Sequence, residues 1–184
     1  MLKPNNAWRW YFDDASTSLM LDLGHDMVFR VAINAKHLIP DAFSTSPFSV
    51  EDASLFQCLT DPLSRLALSG PRQAELALNA VAAHRFHKPV LPKSWFFETQ
   101  QETIAAPEWG QIVELTSQTG DRAPFIIIEN AGSASLCMLA READFELSAN
   151  KTMAFCGAIK VMNDRLSQPK HQTDSQKGRF ALVG

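Results

Sequence analysis

The sequence predicts an α+β fold: an N-terminal α/β domain of antiparallel strands and helices (residues 1–87), then a twisted, β-barrel-like domain (residues 88–167). Three observations carry this expectation. Short aromatic and apolar runs near the start are separated by turn-formers, and one long helical period ends near Phe86. From Pro89 onward, β-type segments recur at a spacing of roughly ten residues.

Taken in order, Trp8-Arg9-Trp10-Tyr11-Phe12 reads as a strand and is followed by a polar Asp13-Asp14-Ala15-Ser16 turn. Ser18 to Leu23 and Met27 to Val31 give two more strands around Gly24-His25-Asp26, and the three form an antiparallel meander. Pro40 and Pro47 mark a loop. Ser49-Val50-Glu51-Asp52 has the form of a capping box, opening a short helix that runs to about Leu59. Ser69-Gly70-Pro71 then starts the clearest helix, which runs to about Phe86. Leu76, Ala77, Ala80, Val81 and His84 form its expected apolar face, and Arg72, Gln73, Glu75 and Asn79 its wet side.

Beyond Pro89, strands are expected at Trp95-Phe96-Phe97, Gln111–Leu115, Phe125–Glu129, Leu136–Leu139 and Phe145–Leu147. The segment 155–166 fits a helix through Phe155, Ile159, Met162 and Leu166, but its β surroundings favour a strand. Residues 168–184 read as a polar, mobile tail.

The chain's 184 residues are 46% hydrophobic, which suits a core-forming protein, and carry a formal net charge of −3. Such a balance supplies no global cationic field, so nucleic acid is not an expected partner. Eight glycines, never closer than six apart, exclude the dinucleotide fingerprint and the phosphate loop. Three scattered cysteines, Cys58, Cys137 and Cys156, form no C-x-x-C and read as buried free thiols of a reducing cytosol. No run approaches the ~20 apolar residues of a membrane span, so a cytoplasmic location without membrane insertion is expected.

Candidate chemistry is sparse. His84 and His87 stand three apart at a helix end, a spacing that can share a metal, but no H-E-x-x-H accompanies them. A small metal- or ligand-binding barrel enzyme using these histidines with a carboxylate is therefore the alternative reading, and capping or packing is the plainer one. The expectation is no catalytic residue, no metal and no cofactor.

The electrostatic pattern is more telling. Residues 1–83 hold six basic and nine acidic residues, whereas 84–184 hold eleven of each. Between His84 and Trp95 lie Arg85, Lys88, Lys93 and two histidines, with no acid. Pro89 and Pro92 stiffen this stretch and Trp95-Phe96-Phe97 follows it, which suits an acidic peptide with apolar anchors. Charge pattern alone favours a solvated basic link between domains, with the aromatics buried in the second core, since that is the commoner fate of such runs.

Several blocks resemble the ZapC family of Z-ring-associated cell-division proteins. They are Trp8–Asp13, Met20–Leu23 with Met27–Arg30, Pro40–Phe43, Ala74–Ala80, Lys88–Trp95 and Ala158–Leu166. The match is collinear from Trp8 to Leu166 and loose between about Gln100 and Lys151. It implies a non-enzymatic cytoplasmic adaptor at midcell that binds FtsZ, whose conserved tail is an acidic-apolar peptide, and promotes lateral bundling of its filaments. Within the matching blocks, Lys88 and Lys93 are the first expected contacts, with Arg85 weaker and Trp95 beside them. Leu21 and Leu23 either line an apolar groove or belong to the core. A monomer is expected.

Overall fold

The computed structural model describes residues 2–170. Most of the tail expected to be mobile, from residue 171 on, lies outside the described residues.

The chain opens with β1 (Arg9–Asp13), β2 (Ser18–Gly24) and β3 (Met27–Arg30), the expected meander, in a four-stranded antiparallel sheet. Asp13 closes the first turn by accepting from the Ser16 hydroxyl at 2.6 Å. His25 and Asp26, both at positive φ (51° and 61°), make the second turn, a geometry suited to tightly twisted hairpins. The fourth strand, β4 (Ser46–Pro47), pairs with β1 and gives the order β3-β2-β1-β4. Two residues are too short to leave a periodic signal, and Pro47, lacking an N–H, is tolerated at this edge position.

The capping box is present as expected. Ser49 accepts from the Asp52 N–H, Asp52 accepts from the Ser49 N–H, and α1 (Val50–Cys58) follows. A short α2 (Thr60–Ser64), which the sequence reading missed, leads towards α3 (Gly70–Phe86), capped by Ser69. Residues 76–83 of α3 are all buried, so its expected two-sided character fails at two positions. Asn79 is buried rather than wet; it accepts from the Ala32 N–H at 2.7 Å and donates to the Glu75 carbonyl at 3.1 Å. His84, placed on the apolar face by periodicity, is exposed.

In the second half, Trp95-Phe96-Phe97 is not a strand. Ser94–Phe96 forms a 3-10 turn, with the Lys93 N–H donated to Lys160 and the Ser94 hydroxyl accepting from the Met162 N–H; only Phe97 faces a strand partner, Ser117. There follow β5 (Ile112–Thr116), β6 (Arg122–Asn130), β7 (Ala134–Leu139), β8 (Phe145–Ser148), β9 (Lys151–Met153) and β10 (Ala158–Met162). The ambiguous segment is thus mainly a strand, ending in a 3-10 turn at Asn163–Arg165. The main sheet has the antiparallel order β10-β7-β6-β5, and β8 pairs with β9 separately. The α+β class holds, but no closed barrel is found among the described residues. A single bridge, Glu114–Ser167, crosses the outer edge of β5.

The main sheet is dry on both faces. Phe125 and Ile127 pack into a cluster with Phe97, Leu115, Leu139 and Phe145. Ile126, Ile128, Leu136 and Met138 instead join α3, Trp10, Leu19 and Leu21 in the other cluster. Burial on both sides is why Phe125–Ile128 reads as one apolar run without alternation. Truncation of Ile126 to alanine is expected to cost about 2–5 kcal/mol in denaturant unfolding. Because the cluster draws on both halves, the tryptophans near the N-terminus and the β signal should unfold in one shifted transition; two separate transitions would contradict the shared cluster.

Candidate functional site

Past its last turn, α3 delivers the chain to a paired segment. The Ile39 N–H donates to Phe86 and the Lys88 N–H to His37, both at 2.8 Å, and Leu38 bridges His87. His37 and His87 therefore lie stacked, with ring centroids 5.8 Å apart and planes within 7°. Nδ1 of His87 donates to the Lys88 carbonyl at 2.7 Å. Burial lowers the His37 pKa below its ordinary value, and the positive charges of His87, Lys36, Lys88 and Lys93 lower it further. Lys36, Lys88 and Lys93 thus share one local field. All three are exposed, and no ion pair among the described residues uses them.

Two apolar side chains stand in the open on the same stretch: Leu91 is 84% exposed and Trp95 65% exposed. Exposed large apolar groups beside unpaired cations are the ingredients of a contact surface. Pro89 and Pro92 restrict the backbone between them.

Arg85 is turned away from this surface. Its guanidinium pairs with Asp52, donates to the Pro47 carbonyl at 3.0 Å and to the Ser46 hydroxyl at 3.2 Å, and lies 5.0 Å from the Phe86 ring centroid. Asp52 is 3% exposed and also accepts from Trp10 Nε1 at 3.0 Å and from the Ser49 N–H at 2.9 Å. One carboxylate thereby ties α1, α3 and β1 together, and the Arg85 charge balances it.

The two histidines considered for a metal also part company. His84 packs edge-on against Trp109 at 5.1 Å, while His87 faces His37. Among the described residues, no group of three or more His, Cys, Asp or Glu side chains is placed to hold a metal ion. Of the three cysteines expected to be buried, Cys58, the last residue of α1, is exposed. Burial raises the thiol pKa of both Cys137 and Cys156, the latter to about 12, so both stay protonated at neutral pH. No described helix is long and apolar enough to cross a membrane.

A second surface lies at the opposite end of α3. Leu21 is fully buried in the core, but its neighbour Leu23 lines an apolar groove of about 1070 Å³ together with Met27, Val28 and Phe29, and with Pro71 and Leu78 of α3. Ala74, on the groove, is about 18 Å along the helix from Phe86, taking ~1.5 Å per residue. Lys88 and Lys93 therefore share one surface with Trp95 nearby, whereas Leu23 belongs to another. The sequence reading missed Lys36 and His37, because only the long-range pairing of 37–39 with 86–88 brings them in. Met27 and Val28 did carry a signal, since consecutive apolar residues next to a tight turn cannot both point into a core.

These features define a small α+β protein that presents a cationic ledge and an apolar groove. Comparison with known protein families agrees in covering both halves. The model of the N-terminal region of cell-division protein ZapC matches residues 1–88, and that of its C-terminal region matches residues 89–172. The protein named "Cell division protein ZapC" from Photobacterium profundum is 58% identical over 167 residues, covering 91% of this chain and 92% of that one. The protein of that name from Aliivibrio salmonicida is 53% identical over 184 residues, the full length of both. A third, from Vibrio cholerae, is 47% identical over 167 residues. The chain belongs to the ZapC family of cell-division proteins.

The histidine pair gives the ledge a pH signature. A His37 pKa below its unfolded value means that the unfolded chain binds more protons as pH falls from about 6.5, so the folded state loses stability in that direction. A His37→Gln variant should flatten this acid-side decline in unfolding free energy measured between pH 7 and pH 5. An unchanged profile would contradict the assignment.

Proposed function

We propose that the chain is a non-enzymatic adaptor of cell division that binds FtsZ polymers at midcell and promotes their lateral association. The observation that carries this reading is the exposed, unpaired cluster of Lys88 and Lys93, flanked by Leu91 and Trp95. Its chemistry complements an acidic peptide with apolar anchors, the character of the FtsZ tail implied by the family resemblance. The lysines steer and hold the carboxylates while Leu91 and Trp95 take the apolar side chains. Arg85 acts indirectly, by fixing the end of α3 through Asp52 so that the ledge after Phe86 is held in place.

Bundling requires more than one contact per cross-linking unit. The groove at Leu23, on the other end of α3, gives the same chain a second and chemically different contact, so a monomer suffices to join two filaments. Leu21 supports the groove from beneath as part of the core. Weak individual contacts are enough here, because each is repeated along the filament.

The test is reversal of the ledge charge. Lys88→Asp with Lys93→Asp should abolish co-sedimentation with FtsZ polymers while shifting the melting temperature by no more than about 2 °C, as expected for exposed sites. Undiminished co-sedimentation of the folded double variant would remove the ledge from FtsZ recognition.

A further inference from the structure

The stacked histidines give the ledge a property that its lysines alone do not have. His37 ends a 3-10 turn (Ala35–His37) capped by Asn34, whose side chain accepts from the Lys36 N–H at 3.1 Å. The chain then enters the bridge between Leu38 and His87, and the Lys88 N–H donates to the His37 carbonyl at 2.8 Å. Backbone bonds on both sides thus hold the two half-buried imidazoles face to face.

The charges that act most on His37 are all of one sign. Lys36 comes from its own turn, His87 and Lys88 from the residues after α3, and Lys93 from the stretch before Ser94. Burial first, and then these charges, hold the His37 pKa below its ordinary value, so the ring is neutral at pH 7. No ion pair among the described residues sets a carboxylate against any of these side chains. With its Nδ1 donating to the Lys88 carbonyl, a neutral His87 keeps Nε2 as a bare acceptor, which offers an anion nothing; protonation turns that nitrogen into a second donor.

A carboxylate arriving at the ledge reverses this balance. It supplies the opposite charge that Lys36, Lys88 and Lys93 lack, and it favours a charged imidazole by the same Coulomb effect that the lysines use against one. We propose that Lys36 and the His37–His87 pair complete the anion site of the ledge, and that the pair takes up a proton as an acidic peptide binds. This rests on the reading of the ledge as the receiver of an acidic peptide, and it adds the turn at 35–37 as a contact and pH as a regulator. Linkage fixes the sign: a ligand that prefers the protonated pair is held more tightly as pH falls from 7.5 towards 6. Each unit by which the ligand raises the midpoint of His37 is worth up to about ten-fold in affinity.

The experiment follows the imidazole C–H signals of His37 and His87 in the full chain from pH 5.5 to 8. Spectra are taken of the chain alone, with a synthetic FtsZ tail peptide, and with an unrelated peptide of alternating glutamate and leucine. A saturating peptide should raise the His37 midpoint by about one unit, and its affinity should grow several-fold between pH 7.5 and pH 6. His37→Gln with His87→Gln should abolish that pH dependence while binding at pH 7.5 persists. Lys36→Gln, at an exposed position, should raise the His37 midpoint of the free chain and weaken peptide binding several-fold at pH 7.5. The midpoint measurement needs no variant, so a fold defect in the histidine variant leaves it decisive. A midpoint that neither peptide moves would overturn the proposal, as would a pH dependence that survives the double substitution. If the glutamate–leucine peptide raises the midpoint and the FtsZ tail does not bind, the FtsZ reading fails and the anion site stands. If the FtsZ tail binds at Lys88 and Lys93 without moving the midpoint, the reverse holds.

Discussion

The structure depends on the burial of β6 and β7 from both sides. Each strand turns one row of side chains towards Phe97, Leu115 and Phe145, and the other towards α3 and the aromatic cluster around Trp10. Since α3 also packs with β1 and β2, the helix is enclosed along residues 76–83 and can present only its two ends. Apolar burial of this extent is the dominant favourable contribution to folding. Here it has a second effect, which is to fix the axis along which the surfaces are arranged.

The two ends of α3 have opposite chemistry. At its carboxyl end, Lys36, Lys88 and Lys93 meet around a stacked histidine pair, and Arg85 is removed from that field by Asp52. At its amino end, Asp26 and Glu75 line an apolar groove, and Glu75 shares Arg72 with Glu142. Helix polarity accords with both ends, since carboxylates near an amino end and cations near a carboxyl end are each favoured by the backbone dipole. The same arrangement that stabilises α3 therefore also separates a cationic surface from an acidic one. Under the bundling function proposed above, that separation would supply the two distinct contacts a filament cross-linker needs.

Local chemistry made much of the fold legible. The capping box at Ser49, the Ser69-Gly70-Pro71 start of α3 and the hairpin turns at Asp13 and His25 are all present, because each is decided within a few residues. The failures share a different cause. Asn79 looked solvent-facing because only the long-range approach of Ala32 gives its side chain a buried partner. Trp95-Phe96-Phe97 had strand composition, but Lys93 and Ser94 are hydrogen-bonded to β10 and hold a turn there instead. In the candidate site, Lys88, Lys93 and Trp95 were legible as an acid-free run. Lys36, and the commitment of Arg85 to Asp52, were not, since both arise from contacts across more than thirty residues.

The central claim is that the acidic-apolar tail of FtsZ is received at the carboxyl end of α3. Titrating a synthetic FtsZ tail peptide into the full-length chain, with backbone amides followed one by one, tests it most directly. The account expects saturable shifts concentrated at residues 36–38 and 87–96, with Leu23 and Met27 unmoved. Shifts confined to the groove, or no shifts at all, would contradict it.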